Sequence, residues 1–124
     1  MLFIIREVLP VFIKINNVQL NYEEKGSGMP LVFIHGLGEC MQSWDHQVTF
    51  FCRRYRIINL DLRAHGQSSN DDAEIITIAL LAKDIIELLH KLGIEKAVFI
   101  GHSMGGLICQ EIALHYPESA IAFV

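Results

Sequence analysis

The chain has 124 residues, 52% of them hydrophobic and 19% charged, with 14 acidic against 10 basic side chains and a net charge of -4. The length suits one domain, the hydrophobic share excludes a disordered chain, and the acidic balance excludes nucleic acid as a partner, because Arg53, Arg54 and Arg56 are the only basic cluster. Three irregularly spaced cysteines, Cys40, Cys52 and Cys109, form no zinc or CxxC pattern and suit a reducing cytoplasm, and no apolar stretch approaches the ~20 residues of a membrane helix.

Residues 1–10 read as an N-terminal extension. The apolar run Leu2 to Ile5 is too short for a secretory signal, has no basic residue ahead of it and meets Arg6 and Glu7 at once. Val11 to Ile15 and Val18 to Tyr22 read as strands joined by Asn16-Asn17, a pair that tolerates the positive φ of a tight hairpin turn. After a loop at Lys25-Gly26-Ser27-Gly28, Leu31 to Ile34 is a continuous apolar run bounded by Pro and Gly, as in a strand buried on both faces. It ends at His35-Gly36-Leu37-Gly38. Residues from Ser43 to Phe51 suit a short helix carrying Trp44, and Tyr55 to Leu60 the next strand, so a parallel crossover is expected.

Asp61 to Asp72 is polar and turn-rich. Thr77 to Leu92 then places Leu81, Ile85, Leu88, Leu89 and Leu92 on one helical face, with Gly93 as the stop. Glu87 and Lys91 form an i,i+4 pair on its solvated side. Ala97 to Ile100 reads as a strand, Met104 to Tyr116 as a helix stopped by Pro117, and Ala120 to Val124 as the start of a sixth strand.

Chemistry concentrates at Gly101-His102-Ser103-Met104-Gly105, between a strand and a helix. A strand turning sharply into a helix there strains Ser103 and raises its hydroxyl above the sheet, while Gly101 and Gly105 stand where a Cβ would strike the neighbouring element. An oxyanion needs two aimed N–H donors. Met104, whose amide opens the helix, and Leu37, in the loop after the first buried strand, can supply them. His35, at the end of that strand, is read as shaping the loop through backbone hydrogen bonds rather than as a base, with Gly36 beside it.

No base for Ser103 is evident. His115 lies twelve residues along the same helix, about 18 Å away. His102 is read as pointing to the other side of the turn, and Asp61, Asp71, Asp72, Glu111 and Glu118 have no evident route to orient an imidazole.

Three blocks in order, His35-Gly36-Leu37-Gly38, Asp61-Leu62-Arg63-Ala64-His65-Gly66-Gln67-Ser68 and Gly101-His102-Ser103-Met104-Gly105-Gly106, resemble those of α/β-hydrolases of the single-domain esterase, lipase and enol-lactonase type. The middle block departs from the family's pattern at Ala64, where glycine is usual, so a slight rearrangement of the turn is expected. The resemblance, over residues 11 to 124, implies an α/β fold: a mostly parallel sheet with an N-terminal antiparallel hairpin and flanking helices, truncated after the start of the sixth strand. It also implies a serine hydrolase acting on an ester, thioester or lactone without metal or organic cofactor, since similar dehalogenases and epoxide hydrolases carry aspartate at the elbow and dienelactone hydrolases cysteine. The family's acid and histidine follow the serine, so the chain alone is expected to be inactive and to self-associate through an uncovered sheet edge. A non-catalytic fragment or subunit completed by a second chain is the alternative reading.

Overall fold

A computed structural model describes residues 11–71 and 75–124; the expected extension over 1–10, and Asp72, lie outside the described residues. The chain forms β1 (Val11–Ile15), β2 (Val18–Lys25), β3 (Pro30–Ile34), a 3-10 turn at Met41–Trp44, α1 (Asp45–Phe51) and β4 (Arg56–Leu60). It continues through α2 (Ile78–Lys91), β5 (Ala97–Gly101), α3 (Met104–His115), a 3-10 turn at Pro117–Ser119 and β6 (Ala120–Phe123). One sheet runs in the order β1-β2-β4-β3-β5-β6. The pairs β1-β2 and β2-β4 are antiparallel; β3-β4, β3-β5 and β5-β6 are parallel. The mostly parallel sheet with its antiparallel hairpin matches the expected α/β architecture. Among the described residues no helix is long and apolar enough to cross a membrane.

The hairpin turns at Asn16 and Asn17, whose φ angles of 46° and 69° are ones asparagine tolerates. β2 runs beyond Tyr22 to Lys25 because its second half pairs with β4, Tyr22 opposite Leu60 and Lys25 opposite Ile57. Glu23, Glu24 and Lys25 carry no hydrophobic signal, yet their backbone completes the ladder.

Strands β3 and β5 are apolar throughout, and alternate residues point opposite ways. Leu31, Phe33 and Ile57 meet Val48 of α1, with Trp44, Phe51 and Tyr55 packed against them. Val32, Ile34, Ile58, Leu60 and Phe99 face the other way, against Leu81, Ile85 and Leu89 of α2 and Ile108 and Ile112 of α3.

α2 has a defined start and stop. Thr77 Oγ1 accepts the Leu80 N–H at 3.1 Å, and Gly93, at φ 71°, lets Ile94 N–H reach Leu89 O at 2.8 Å and Gly93 N–H reach His90 O at 3.1 Å. The expected Glu87–Lys91 pair is replaced: Glu87 lies 3.8 Å from His90, and Lys91 Nζ donates to Lys14 O at 2.6 Å. Reaching the neighbouring β1 carbonyl gives the ammonium an acceptor that an exposed ion pair scarcely improves on.

This topology positions a site. From β3 the chain leaves to one side, through α1 to β4; it then returns past β3 to enter β5 on the other side. The carboxyl ends of β3 and β5, adjacent strands whose connections depart in opposite directions, border the crevice where open α/β sheets bind ligands.

Candidate active site

β5 ends at Gly101 and α3 begins at Met104, so the turn between them spans His102 and Ser103. Ser103 sits at φ 55° and ψ -117°, a conformation that non-glycine residues adopt only when their surroundings impose it. Those surroundings are backbone. His102 N–H bonds to Ile34 O at 3.1 Å, Gly105 N–H to His102 O at 2.9 Å and Gly106 N–H to Ser103 O at 2.8 Å. A Cβ on Gly101 would lie 2.3 Å from Gly105 O, and one on Gly105 would lie 2.2 Å from Ile34 O. Helix and strand therefore meet at a distance that only glycine permits, and the serine between them is exposed.

The loop after β3 lies against this elbow: a Cβ on Gly36 would come within 3.3 Å of Ser103 Cβ. Next to it Leu37 is 75% exposed. Among the described residues neither the Leu37 nor the Met104 amide has a hydrogen-bond partner. One of these free N–H groups opens a twelve-residue helix.

His35 is fully buried and its hydrogen bonds define its tautomer. Nε2 lies 3.0 Å from Leu62 N, which can only donate, so Nε2 accepts; Nδ1 then carries the proton and donates to Gly36 O at 2.7 Å. Burial holds its pKa below the usual imidazole value, only partly opposed by the Gly36 carbonyl. This neutral ring ties the β3 loop to the β4 loop and has no nitrogen left for Ser103.

The β4 loop is organised around Asp61, which is buried and accepts from Met41 N–H at 2.8 Å, Asn21 Nδ2 at 2.9 Å and Gln67 N–H at 2.9 Å. Its carboxylate is consumed by these bonds and serves architecture. Gly66, at φ 51°, is required here, since a Cβ would lie 2.3 Å from that carboxylate. The expected rearrangement at Ala64 takes a specific form: alanine itself adopts φ 62°, the left-handed geometry in which glycine is unstrained.

His115 pairs with Glu111 at 3.4 Å on the last turn of α3, at the far end of the helix from Ser103. His102 is exposed, with Nδ1 3.2 Å from Glu39 Oε1. Together with Ser43, Trp44 and Gln47 these two side chains line an open pocket of about 340 Å³. Sequence reasoning passed over Glu39; its one signal is a carboxylate three residues after Gly36 in an otherwise uncharged loop. It also missed the buried pair of Arg63 with Asp84, at 2.8 Å.

Residues 29–124 match the family model described as alpha/beta hydrolase fold. The chain is 37% identical over 103 residues to bifunctional epoxide hydrolase 2 of Sus scrofa, covering 82% of this chain and 19% of that protein. It is 38% identical over 117 residues to 3-oxoadipate enol-lactonase 2 of Acinetobacter baylyi, covering 89% of this chain and 43% of that one. Among solved structures, a hydrolase from Pseudomonas aeruginosa superimposes with a TM-score of 0.88 at 30% identity, covering 95% of this chain and 45% of the other. Est816, an N-acyl homoserine lactone degrading enzyme, gives 0.86 at 30% identity over 91% of this chain and 43% of its own. The chain thus spans less than half the length of these relatives, which are hydrolases. Matched in sequence over most of its length and in the course of its sheet, the chain belongs to the α/β-hydrolase family.

Proposed function

We propose that residues 11–124 form part of a serine hydrolase domain that cleaves a small carboxylic ester, thioester or lactone through an acyl-enzyme on Ser103. The observation that carries this reading is the strained, exposed serine at the β5–α3 turn with the unpartnered Leu37 and Met104 amides beside it. Attack of Oγ on a carbonyl carbon places negative charge on the carbonyl oxygen. N–H groups aimed at that oxygen stabilise the transition state, each worth about 3 to 4 kcal/mol. Collapse of the tetrahedral species expels the alcohol or thiol, and water then releases the acid.

The relatives named above include epoxide hydrolases, and the residue at the elbow decides between the two chemistries. Aspartate opens an epoxide through an alkyl ester. A serine hydroxyl suits acyl transfer. Ser103 needs a base, and among the described residues no side chain is hydrogen-bonded to its hydroxyl. The histidine and its orienting carboxylate belong to the part of the hydrolase architecture that this chain does not span, so the 124 residues alone turn over no ester. The unpaired state of Cys40, Cys52 and Cys109 is the support for a reducing, cytoplasmic setting.

The test is acyl-enzyme trapping in a polypeptide of the relatives' length that contains this sequence. After brief exposure to p-nitrophenyl esters of short acids, the acyl group is expected on the peptide bearing Ser103 and absent in Ser103→Ala. Turnover that survives Ser103→Ala would overturn the proposal.

A further inference from the structure

The Leu37 amide can serve an oxyanion only if its loop is held in register with the elbow, yet the loop is exposed and lies outside the sheet ladder. Glu39 grips it twice. Its own N–H donates to Gly36 O at 3.1 Å, and its Oε2 accepts the Gly36 N–H at 3.3 Å, so both polar groups of the residue before Leu37 are held by one side chain and its backbone. The other carboxylate oxygen, Oε1, lies 3.2 Å from His102 Nδ1. His102 immediately precedes Ser103, and its own N–H is anchored on Ile34 O.

We propose that Glu39 is a positioning residue that clamps the oxyanion loop to the nucleophile elbow, through Gly36 on one side and the His102 imidazole on the other. This rests on the reading of Ser103 as nucleophile. One carboxylate then spans the two segments that carry the two oxyanion donors, and fixes the separation between the Leu37 and Met104 amides. The Gly36 N–H, with His102 and the Ser43 hydroxyl, holds Glu39 below the usual carboxylate range, so the clamp stays charged in neutral solution. Around it, Ser43, Trp44 and Gln47 are uncharged. The remaining titratable groups are His35, buried beneath the loop, and Asp61 and His65, which act on His35 from the β4 side.

Nuclear magnetic resonance of the labelled chain tests the clamp. In the wild-type background, His102→Ala should shift the Gly36 and Leu37 amide resonances. In Glu39→Gln, which keeps an acceptor for Gly36 but no charge, that response should vanish while slow Gly36 exchange persists. Amides that ignore the His102 ring in the wild type, or respond equally in Glu39→Gln, overturn the clamp without recourse to any variant's activity. In the longer polypeptide, Glu39→Ala should lower kcat about tenfold with KM within about twofold, as expected when a transition-state donor is misplaced, and Glu39→Gln should restore most of it. An unchanged kcat in Glu39→Ala contradicts the positioning role. A polypeptide that hydrolyses no ester refutes the serine-hydrolase reading instead, leaving the resonance experiment to decide the clamp.

Discussion

Ser103 and Ala64 both hold positive φ without being glycine, at 55° and 62°, and a residue so placed costs about 1 to 3 kcal/mol. At Ser103 that cost accompanies an exposed side chain at the sharp turn from β5 into α3. Replacing Ser103 by Gly relieves the strain and replacing it by Ala does not. Ser103→Gly is expected to exceed Ser103→Ala by about 1 kcal/mol in unfolding free energy, measured by urea titration, with neither variant acylated. Ala64→Gly should stabilise in the same direction by a similar amount, because the turn keeps its course. Equal stabilities would show that the backbone at these positions is not strained. His35 sets a pH dependence. Its folded pKa is depressed, so its contribution is complete above the unfolded value, about 6.5, and is lost as pH falls through the folded one. The wild type should lose more stability between pH 7.5 and 5.5 than His35→Gln, and parallel losses would contradict the buried neutral ring.

At the scale of elements, α2 carries a charge on its buried side. Asp84 receives Arg63 Nε at 2.8 Å and Nη2 at 2.9 Å, as well as Asn16 Nδ2 at 3.1 Å, and so joins the β4 loop and the β1–β2 turn to the helix. Asp84→Ala leaves the buried guanidinium with Asp71, at 2.9 Å, as its remaining carboxylate and is expected to cost about 2 to 3 kcal/mol, whereas Arg63→Met with Asp84→Leu recovers much of it. A loss under about 1 kcal/mol in the single variant would show the pair to be dispensable. This pair also marks the limit of what the sequence discloses. Helix α2 was legible because Leu81, Ile85 and Leu88 recur at helical spacing, and β3 and β5 because they are apolar at every position. Asp84 drew no notice because its partner, Arg63, is brought to it only by the fold. The polar half of β2 escaped for the same reason, since backbone pairing with β4 leaves no mark on side chains. The elbow was legible because its constraint is local, with glycines two residues either side of Ser103. Glu39 was not, because its significance depends on contact with residue 102.

At the scale of the whole molecule, the two faces of the sheet differ. The face bearing α2 and α3 is closed over, whereas on the α1 side a groove of about 380 Å³ is lined by Met29, Leu31, Phe33, Tyr55, Val98 and Ile100. At one edge, among the described residues, β6 pairs only with β5, and Ile121, Phe123 and Val124 are exposed. An open edge beside apolar surface favours association. The 124-residue chain is therefore expected to elute above monomer mass in light-scattering chromatography, increasingly so with concentration, and a monomer at all concentrations would contradict this. The central claim is that the elbow presents a nucleophile whose activation needs residues outside this span. Intact-mass analysis after fluorophosphonate treatment tests it most directly. The account predicts one adduct per molecule in a polypeptide of the relatives' length, none in its Ser103→Ala variant, and none in the 124-residue chain. Labelling of the short chain that disappears in Ser103→Ala would contradict it, by showing that these residues already contain the base.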